Sequence, residues 1–442
     1  MMNNELSIVN YQLSTINYQI MIKHIFKIIW AQRKSNGWIL GELVIVMCAL
    51  WFMMDKLWVD VRCYNAPMGY DISNMWRFKL STLSSNAPGY VPDSLYDSNA
   101  TQDLLKLMER IRQEQEVEEV CVTYWSMPYS NGSSWGTLLP LGADTSKAVG
   151  QNYHKLKVSP SYFDVFRMKD KEGRAITPLV ENAYRPLVIT AEAEDFFFGG
   201  QSAIGRQISE NDDLSEPFTI AAVLPTFRSN DFDRPENCAF TILKGESLQE
   251  FVKNFGVRSA ELSVRTKRPM TEDEMYAFLE KTADRMTVNN TFVHGVTLLA
   301  DQRDDQLRFT KNENSKKLSM MAFLLVNVFF GIVGTFWLRT ERRRSEIGLR
   351  MAIGSSRGRL GEYMYLEGLG LLAITVPILL VFVFNMAFLD KLDSYREPLS
   401  ILRFLVTLSV SYLLMAGMIC MGIWFPVRKA VKMAPAEALH YE

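Results

Sequence analysis

Residues 339–360 read RTERRRSEIGLRMAIGSSRGRL and lie between two long apolar runs. Seven arginines (Arg339, Arg342, Arg343, Arg344, Arg350, Arg357, Arg359) stand against two glutamates (Glu341, Glu346). A loop this basic between two membrane spans belongs on the cytoplasmic side. Within it, residues 344–353 predict a short helix. Ile347 and Met351 are four apart, as are Leu349 and Ile353, so apolar side chains line part of its surface. Gly354 and the Ser355-Ser356 pair end it. A short, stiff helix of mixed apolar and charged surface, held at the membrane, suits docking on another protein. A loop that only set topology and touched anionic lipid would need the arginines but not the ordered pattern around them.

That pattern is Glu346-Ile347-Gly348-Leu349-Arg350 followed by Ala352-Ile353-Gly354-Ser355-Ser356. It resembles the E-I-G-x-R-x-A-x-G-A/S-S signature of MacB/FtsX-type ABC-transporter permeases. In that family the segment is a coupling helix seated in a groove of a partner ATPase. The resemblance assigns the docking to Glu346, Ile347, Gly348, Arg350 and Gly354. Both glycines permit close backbone approach.

Working outward, residues 318–338 form an apolar span whose one strongly polar residue is Asn327. The next span covers 365–389, with a kink expected at Pro377. Glu367 sits at its cytoplasmic start, where the family often carries an acid in a phrase like Tyr365-Leu366-Glu367-Gly368. An outer loop at 390–401 leads to a fourth span at 402–425. The tail, 426–442, is basic and hence cytoplasmic. Its Pro426, Ala430 and Pro435-x-Glu437-Ala438-Leu439 resemble the end of the family's chains. The first span covers about 38–54 within a segment 21–56, anchored by Trp38, Trp51 and Trp58. Lys23, Lys27, Arg33 and Lys34 precede it, so the N-terminus is cytoplasmic. Glu42 lies about one turn from the cytoplasmic boundary, where snorkelling to the interface is expected. Residues 1–20 lack the basic and apolar regions of a signal peptide. They read as a mis-assigned start or a disordered tail, with Met21 as the native start.

No stretch within 57–317 is long and apolar enough to span. Its two ends read alike. A strand after Asp71, a helix at 101–115 and a strand at 117–125 open it. A strand at 260–265, a helix at 271–286 with a Thr271/Glu274 capping box, and a strand at 291–299 close it. Between them, about 126–250, lies an inserted lobe rich in strand and turn signals. Ser159-Pro160-x-Tyr162-Phe163, Val188-Ile189-Thr190, Ile204-Gly205-Arg206-x-Ile208 and Phe218-Thr219-Ile220 resemble, in order, the extracytoplasmic domain of MacB-type permeases. The expected fold is an α-helical membrane protein with four transmembrane helices and a large α+β extracytoplasmic domain between helices 1 and 2.

The formal net charge of −1 over 442 residues hides this segregation of charge. The basic residues track the spans and form no stripe on a folded domain, which speaks against nucleic acid as a partner. Cys48 and Cys420 fall in apolar runs. Cys63, Cys121 and Cys238 allow at most one intrachain disulfide, and small buried hydrophobes are the favoured reading. No G-x-x-x-x-G-K-[ST] phosphate loop occurs, so the chain is no ATPase by itself. Gly132-Ser133-Ser134-Trp135-Gly136 matches G-x-S-x-G but sits in a polar loop with no helix after it, which argues against a nucleophile. His24, His154, His294 and His440 are scattered, with no metal-ligand spacing.

The resemblance therefore implies a non-catalytic permease subunit with no cofactor or metal of its own. ATP and Mg would be bound by a separate cytoplasmic ABC ATPase. Its hydrolysis would be coupled by mechanotransmission to movement of the extracytoplasmic domain, for export of an antibiotic, peptide or lipoprotein-like substrate. The other partners implied are a second permease chain (as homodimer or heterodimer), membrane lipid and a periplasmic adaptor, in a bacterial inner membrane. The alternative, from a different class, is a non-transporting signalling permease that activates an extracytoplasmic partner.

Overall fold

The computed structural model describes residues 27, 31 and 33–432, save 131, 133, 143–151 and 212–213. The expectations for residues 1–20, most of the lead-in before the first span, Ser133 and the motif from Pro435 onward lie outside these residues. The chain divides into two compact units. One comprises the residues through Arg62 together with those from Lys311 on, and the other is Cys63–Thr310.

Helix α1, Arg33–Asn65, runs past the expected end of the first span near residue 54. The second unit follows. It opens with β1 (Met75–Thr82), α2 (Ala100–Arg112) and β2 (Val117–Tyr124). Asn99 and Gln102 close a reciprocal capping box on α2, and its buried Leu104, Leu107, Met108 and Ile111 form one apolar stripe. Next come β3 (Trp135–Gly136), β4 (Leu139–Pro140), β5 (Tyr153–Val158) and two short helices, α3 (Tyr162–Val165) and α4 (Thr177–Glu181). Then β6 (Pro186–Thr190), α5 (Ala191–Phe198), β7 (Gln207–Ser209), β8 (Phe218–Leu224), β9 (Cys238–Ile242) and α6 (Glu246–Phe255) succeed one another. The unit closes with β10 (Glu261–Thr266), α7 (Glu272–Lys281), β11 (Thr287–Val288) and β12 (Thr291–Leu298). The capping box of Thr271 and Glu274 starts α7 as the sequence indicates, but Thr282 ends it before the expected residue 286.

The strands of the expected lobe form no sheet of their own. All twelve strands share one sheet in the order β11-β12-β1-β10-β2-β5-β9-β6-β8-β7-β4, with β3 paired to β5 off this path. The joint is narrow. Thr123 and Tyr124 of β2 pair with Val158 and Lys157 of β5. Beyond it, β5 and β9 run parallel, as do β6 and β8. The apolar core crosses the joint too. Met75 and Cys121 pack in one buried cluster with Phe163, Phe166 and Phe240. Helix α6 buries Leu248 and Val252 with β1, β2 and β10, so the lobe's boundary falls before it and not near residue 250. All five cysteines are free.

The remaining helices are α8 (Leu299–Arg342), α9 (Arg344–Ala352), α10 (Arg357–Phe388) and α11 (Ile401–Lys432). Helices α1, α8, α10 and α11 are long and apolar enough to cross a membrane. Small residues let them approach. A Cβ on Gly368 of α10 would collide with Ile423 of α11, and one on Gly422 would lie 2.8 Å from Ile332 of α8. A Cβ on Gly331 of α8 would meet the Glu42 carboxylate at 2.7 Å. Glu42 thus lies against α8, where snorkelling to the interface was the expectation; a glycine makes room for its carboxylate. Two buried polar joints tie α1 to the rest of this unit. Arg403 forms a bidentate pair with Asp55 at 2.6 and 2.7 Å, and Asp60 accepts from Lys317 and Arg396, both at 2.8 Å.

Candidate functional site

Residues 339–360 hold the last turn of α8, the whole of α9, a tight corner and the first turn of α10. A single residue, Arg343, separates α8 from α9 and is the N-cap of α9. Its end is a Schellman motif: Ser355 N–H donates to the Arg350 carbonyl at 2.9 Å, and Gly354 N–H to that of Met351 at 3.2 Å. Gly354 adopts φ 102°, a left-handed conformation that disfavours any side chain. Ser356 then caps α10 by accepting from Arg359 N–H. The local turn chemistry, not packing, sets the length of α9.

The five residues singled out for docking do not share one face. Ile347 is 6% exposed and packs in the same buried cluster as Leu360 and Met364 of α10. Gly348 is buried beside it. These two hold α9 to its own chain and offer little surface. Glu346 and Arg350 pair across one helical turn at 2.6 Å, and the Arg350 guanidinium lies over the Tyr363 ring. Gly354 is exposed at the corner. The apolar surface left open belongs to Leu349 and Ile353, exposed by 53% and 76%. Periodicity names Leu349 and Ile353 as an apolar pair but cannot say which of the two pairs faces inward.

Beneath α9 lies a charged clamp. Glu367 of α10, 3% exposed, accepts from Arg339 of α8 and from Arg343, both at 3.0 Å. Two guanidiniums on one buried carboxylate join the end of α8, the start of α9 and α10 at a single point. Phe336, Ile347 and Tyr363 wall the cleft around it. At the same end, Lys429 of α11 pairs with Glu341 at 3.1 Å and stands over the Trp337 ring.

The other end of α8 is held within the second unit. Arg303 pairs with Asp231, its Nε 3.0 Å from Oδ1, and Gln302 donates to the Tyr129 carbonyl at 2.6 Å. Tyr129 donates its hydroxyl to the same Asp231 at 2.8 Å. Three residues before Asp231, the fully buried Arg228 donates to the carbonyls of Cys63 (2.5 Å), Pro67 (3.0 Å) and Ala66. One loop, 228–231, therefore grips the last turn of α1, the residues just after it and the first turns of α8. Nothing in the local pattern of these residues marks them; only the fold brings them together.

Residues 70–281 match the family model of the MacB-like periplasmic core domain, and residues 318–435 match that of the FtsX-like permease C-terminal region. Among solved structures, the periplasmic region of MacB from Actinobacillus actinomycetemcomitans is 14% identical, with a TM-score of 0.32, covering 55% of this chain and 94% of that one. The extracellular domain of the noncanonic ABC-type transporter YknZ from Gram-positive bacteria is 12% identical, with a TM-score of 0.29, covering 50% and 100%. A permease-protein domain from Porphyromonas gingivalis is 14% identical, with a TM-score of 0.33, covering 52% and 92%. No curated protein gives a significant match. With both family models matched in chain order and four apolar helices flanking the α+β domain, the chain belongs to the MacB/FtsX-type permeases of ABC transporters.

Proposed function

We propose that this chain is the membrane subunit of an ABC exporter that works by mechanical transmission. Two copies, or this chain and a sister permease, join two cytoplasmic ATPases. Closure of the ATPases on ATP pushes α9, and α8 carries the push to the domain on the far side of the membrane. In this reading Glu346, Leu349, Arg350 and Ile353 meet the ATPase and Gly354 lets its surface come close. Ile347 and Gly348 anchor α9. The cargo class is antibiotic, peptide or lipoprotein-like, handed on through a periplasmic adaptor.

The observation that carries this reading is α8. It is a single helix of 44 residues, about 66 Å at 1.5 Å per residue. Charged clamps hold it at both ends, Glu367 at one and Asp231 at the other. A jointed connection would dissipate a displacement along its length; an unbroken helix passes it on.

The test is co-purification of the detergent-solubilised chain with the ABC ATPase encoded beside it, with ATP turnover measured in nanodiscs. Wild type should retain the ATPase, and Leu349→Asp/Ile353→Asp should lose it while inserting and folding normally. The reading fails if wild type holds no ATPase, or if the double variant holds it equally well.

A further inference from the structure

In the second unit, far from α9 in sequence, His154, Glu236 and Cys238 converge. The parallel pairing of β5 with β9 sets His154 opposite Cys238. Glu236 reaches the pair from just before β9. One nitrogen of His154, one carboxylate oxygen of Glu236 and the Cys238 sulfur all lie within 4.8 Å of one another. Nδ1 of His154 is 3.5 Å from Oε2 of Glu236 and 3.3 Å from the Ser229 hydroxyl.

The frame around these atoms is fixed before any ligand arrives. His154 N–H donates to the Asn237 carbonyl at 2.7 Å. The Thr190 hydroxyl donates to the Glu236 carbonyl at 2.9 Å and accepts from Cys238 N–H at 3.1 Å. The Trp135 ring stacks on the imidazole, centroids 5.2 Å apart and planes 16° from parallel. Such support holds ligand atoms in place at a metal centre.

Two polar atoms here lack what buried polar atoms require. The His154 side chain is only 7% exposed, and its Nε2 has no hydrogen-bond partner among the described residues. The same is true of Oε2 of Glu192, two residues beyond Thr190. No lysine or arginine among the described residues pairs with either carboxylate. An imidazole, a thiol and a carboxylate converging on one point are a donor set awaiting a cation.

We propose that His154, Glu236 and Cys238 form a binding site for a divalent transition metal of the zinc class. Imidazole with thiolate favours zinc over magnesium or calcium, which take oxygen ligands. Three protein ligands leave the fourth tetrahedral position to water. On binding, the Cys238 thiol gives its proton to solvent and the metal–sulfur bond takes its place. The metal would staple β5 to β9 on the far side of the narrow joint between β2 and β5. The role is structural, and it is independent of the coupling mechanism above.

The test uses the full-length chain in detergent, its tag removed, stripped with a chelator and titrated with Zn2+ and with Co2+ alone. Wild type should bind a single equivalent, with a thiolate-to-cobalt charge-transfer band and a tetrahedral cobalt spectrum. Cys238→Ser should lose the band. Glu236→Gln, at a partly exposed position, should weaken binding by more than about tenfold. Cys121→Ser, at another buried cysteine, should leave the band intact. A wild-type cobalt spectrum without a thiolate band overturns the proposal even if every variant misfolds. So does a band that survives Cys238→Ser or disappears in a folded Cys121→Ser.

Discussion

Asp231 and Arg303 form an ion pair in which the carboxylate is 2% exposed, and the partner arginine stands in the second turn of α8. Asp231 also accepts from Tyr129, and Arg228 beside it binds the chain that leaves α1. One loop therefore holds both the end of α1 and the start of α8.

Removing Arg303 tests that loop. Arg303→Ala leaves a buried carboxylate with one neutral donor, a change that costs about 3–5 kcal/mol for fully buried pairs and somewhat less here, where the arginine is partly exposed. The expected outcome is a lower melting temperature of the purified chain, and ATP turnover by the partner ATPase that no longer responds to cargo. An unchanged response would show that the grip on α8 is dispensable.

At the opposite end, Glu367→Gln keeps the shape and removes the charge between Arg339 and Arg343. Both guanidiniums then lose the carboxylate that they share, and α9 should loosen from α10. Spin labels on α9 and α10 should report a broader distance distribution, and ATPase stimulation should fall. Glu367→Asp should recover part of both, because charge and not volume does the holding.

The two faces of α9 should behave differently. Ile347→Asp buries a charge among Leu360 and Met364 and should lower the yield of folded protein. Ile353→Asp changes an exposed side chain and should leave the melting temperature within about 0.5 kcal/mol equivalent. It should nevertheless weaken ATPase binding. Equal folding defects in both variants would contradict the assignment of faces.

Helix packing at Gly368 allows a suppressor experiment. Gly368→Leu forces a side chain into Ile423 and Ile419 of α11, an overpacking worth about 1–3 kcal/mol. Ile423→Ala removes the obstructing atoms and should restore part of the lost thermal stability when combined with it. If the double variant is no better than the single one, the close approach of α10 and α11 is misplaced.

Acid should weaken the second unit through Glu194. Burial alone would raise its carboxyl, but the Lys171 ammonium and the Ala203 N–H overcome this and hold it below the usual glutamate range. The unfolded chain then binds more protons than the folded one, so this stability is present above the usual glutamate pKa. It is lost as pH falls from about 4.3 through the lowered folded value. Denaturation followed by tryptophan fluorescence should show that loss, and Glu194→Gln should flatten part of it.

Much of this architecture is written locally. The four spans follow from runs of apolar residues with arginines at their ends, α2 announces itself by an apolar stripe, and α7 by a capping box whose partners are three residues apart. The length of α9 is legible for the same reason, because Gly354 and Ser356 act within one turn. Glu367 draws notice as an acid at the start of a span, although nothing local picks Arg339 and Arg343 out of the seven arginines as its partners.

What reads poorly lies across the fold. Asp55 and Arg403 sit near the ends of their spans and look like boundary charges, yet 348 residues apart in sequence they meet as a buried pair. The lobe looks separate because its strands alternate with turns, but two residues of β2 extend the sheet into it. His154 carries no ligand spacing, since its neighbour Cys238 comes from a parallel strand.

The sequence by itself determined the family, the four spans and the short helix between the second and third of them, because hydropathy, charge at span ends and turn residues act over a few neighbouring positions. Only the tertiary structure decided which face of α9 is buried, which loop grips α8, and which histidine meets a cysteine. Those depend on strand pairing and helix packing between distant segments, where burial of charge and loss of water select the partners.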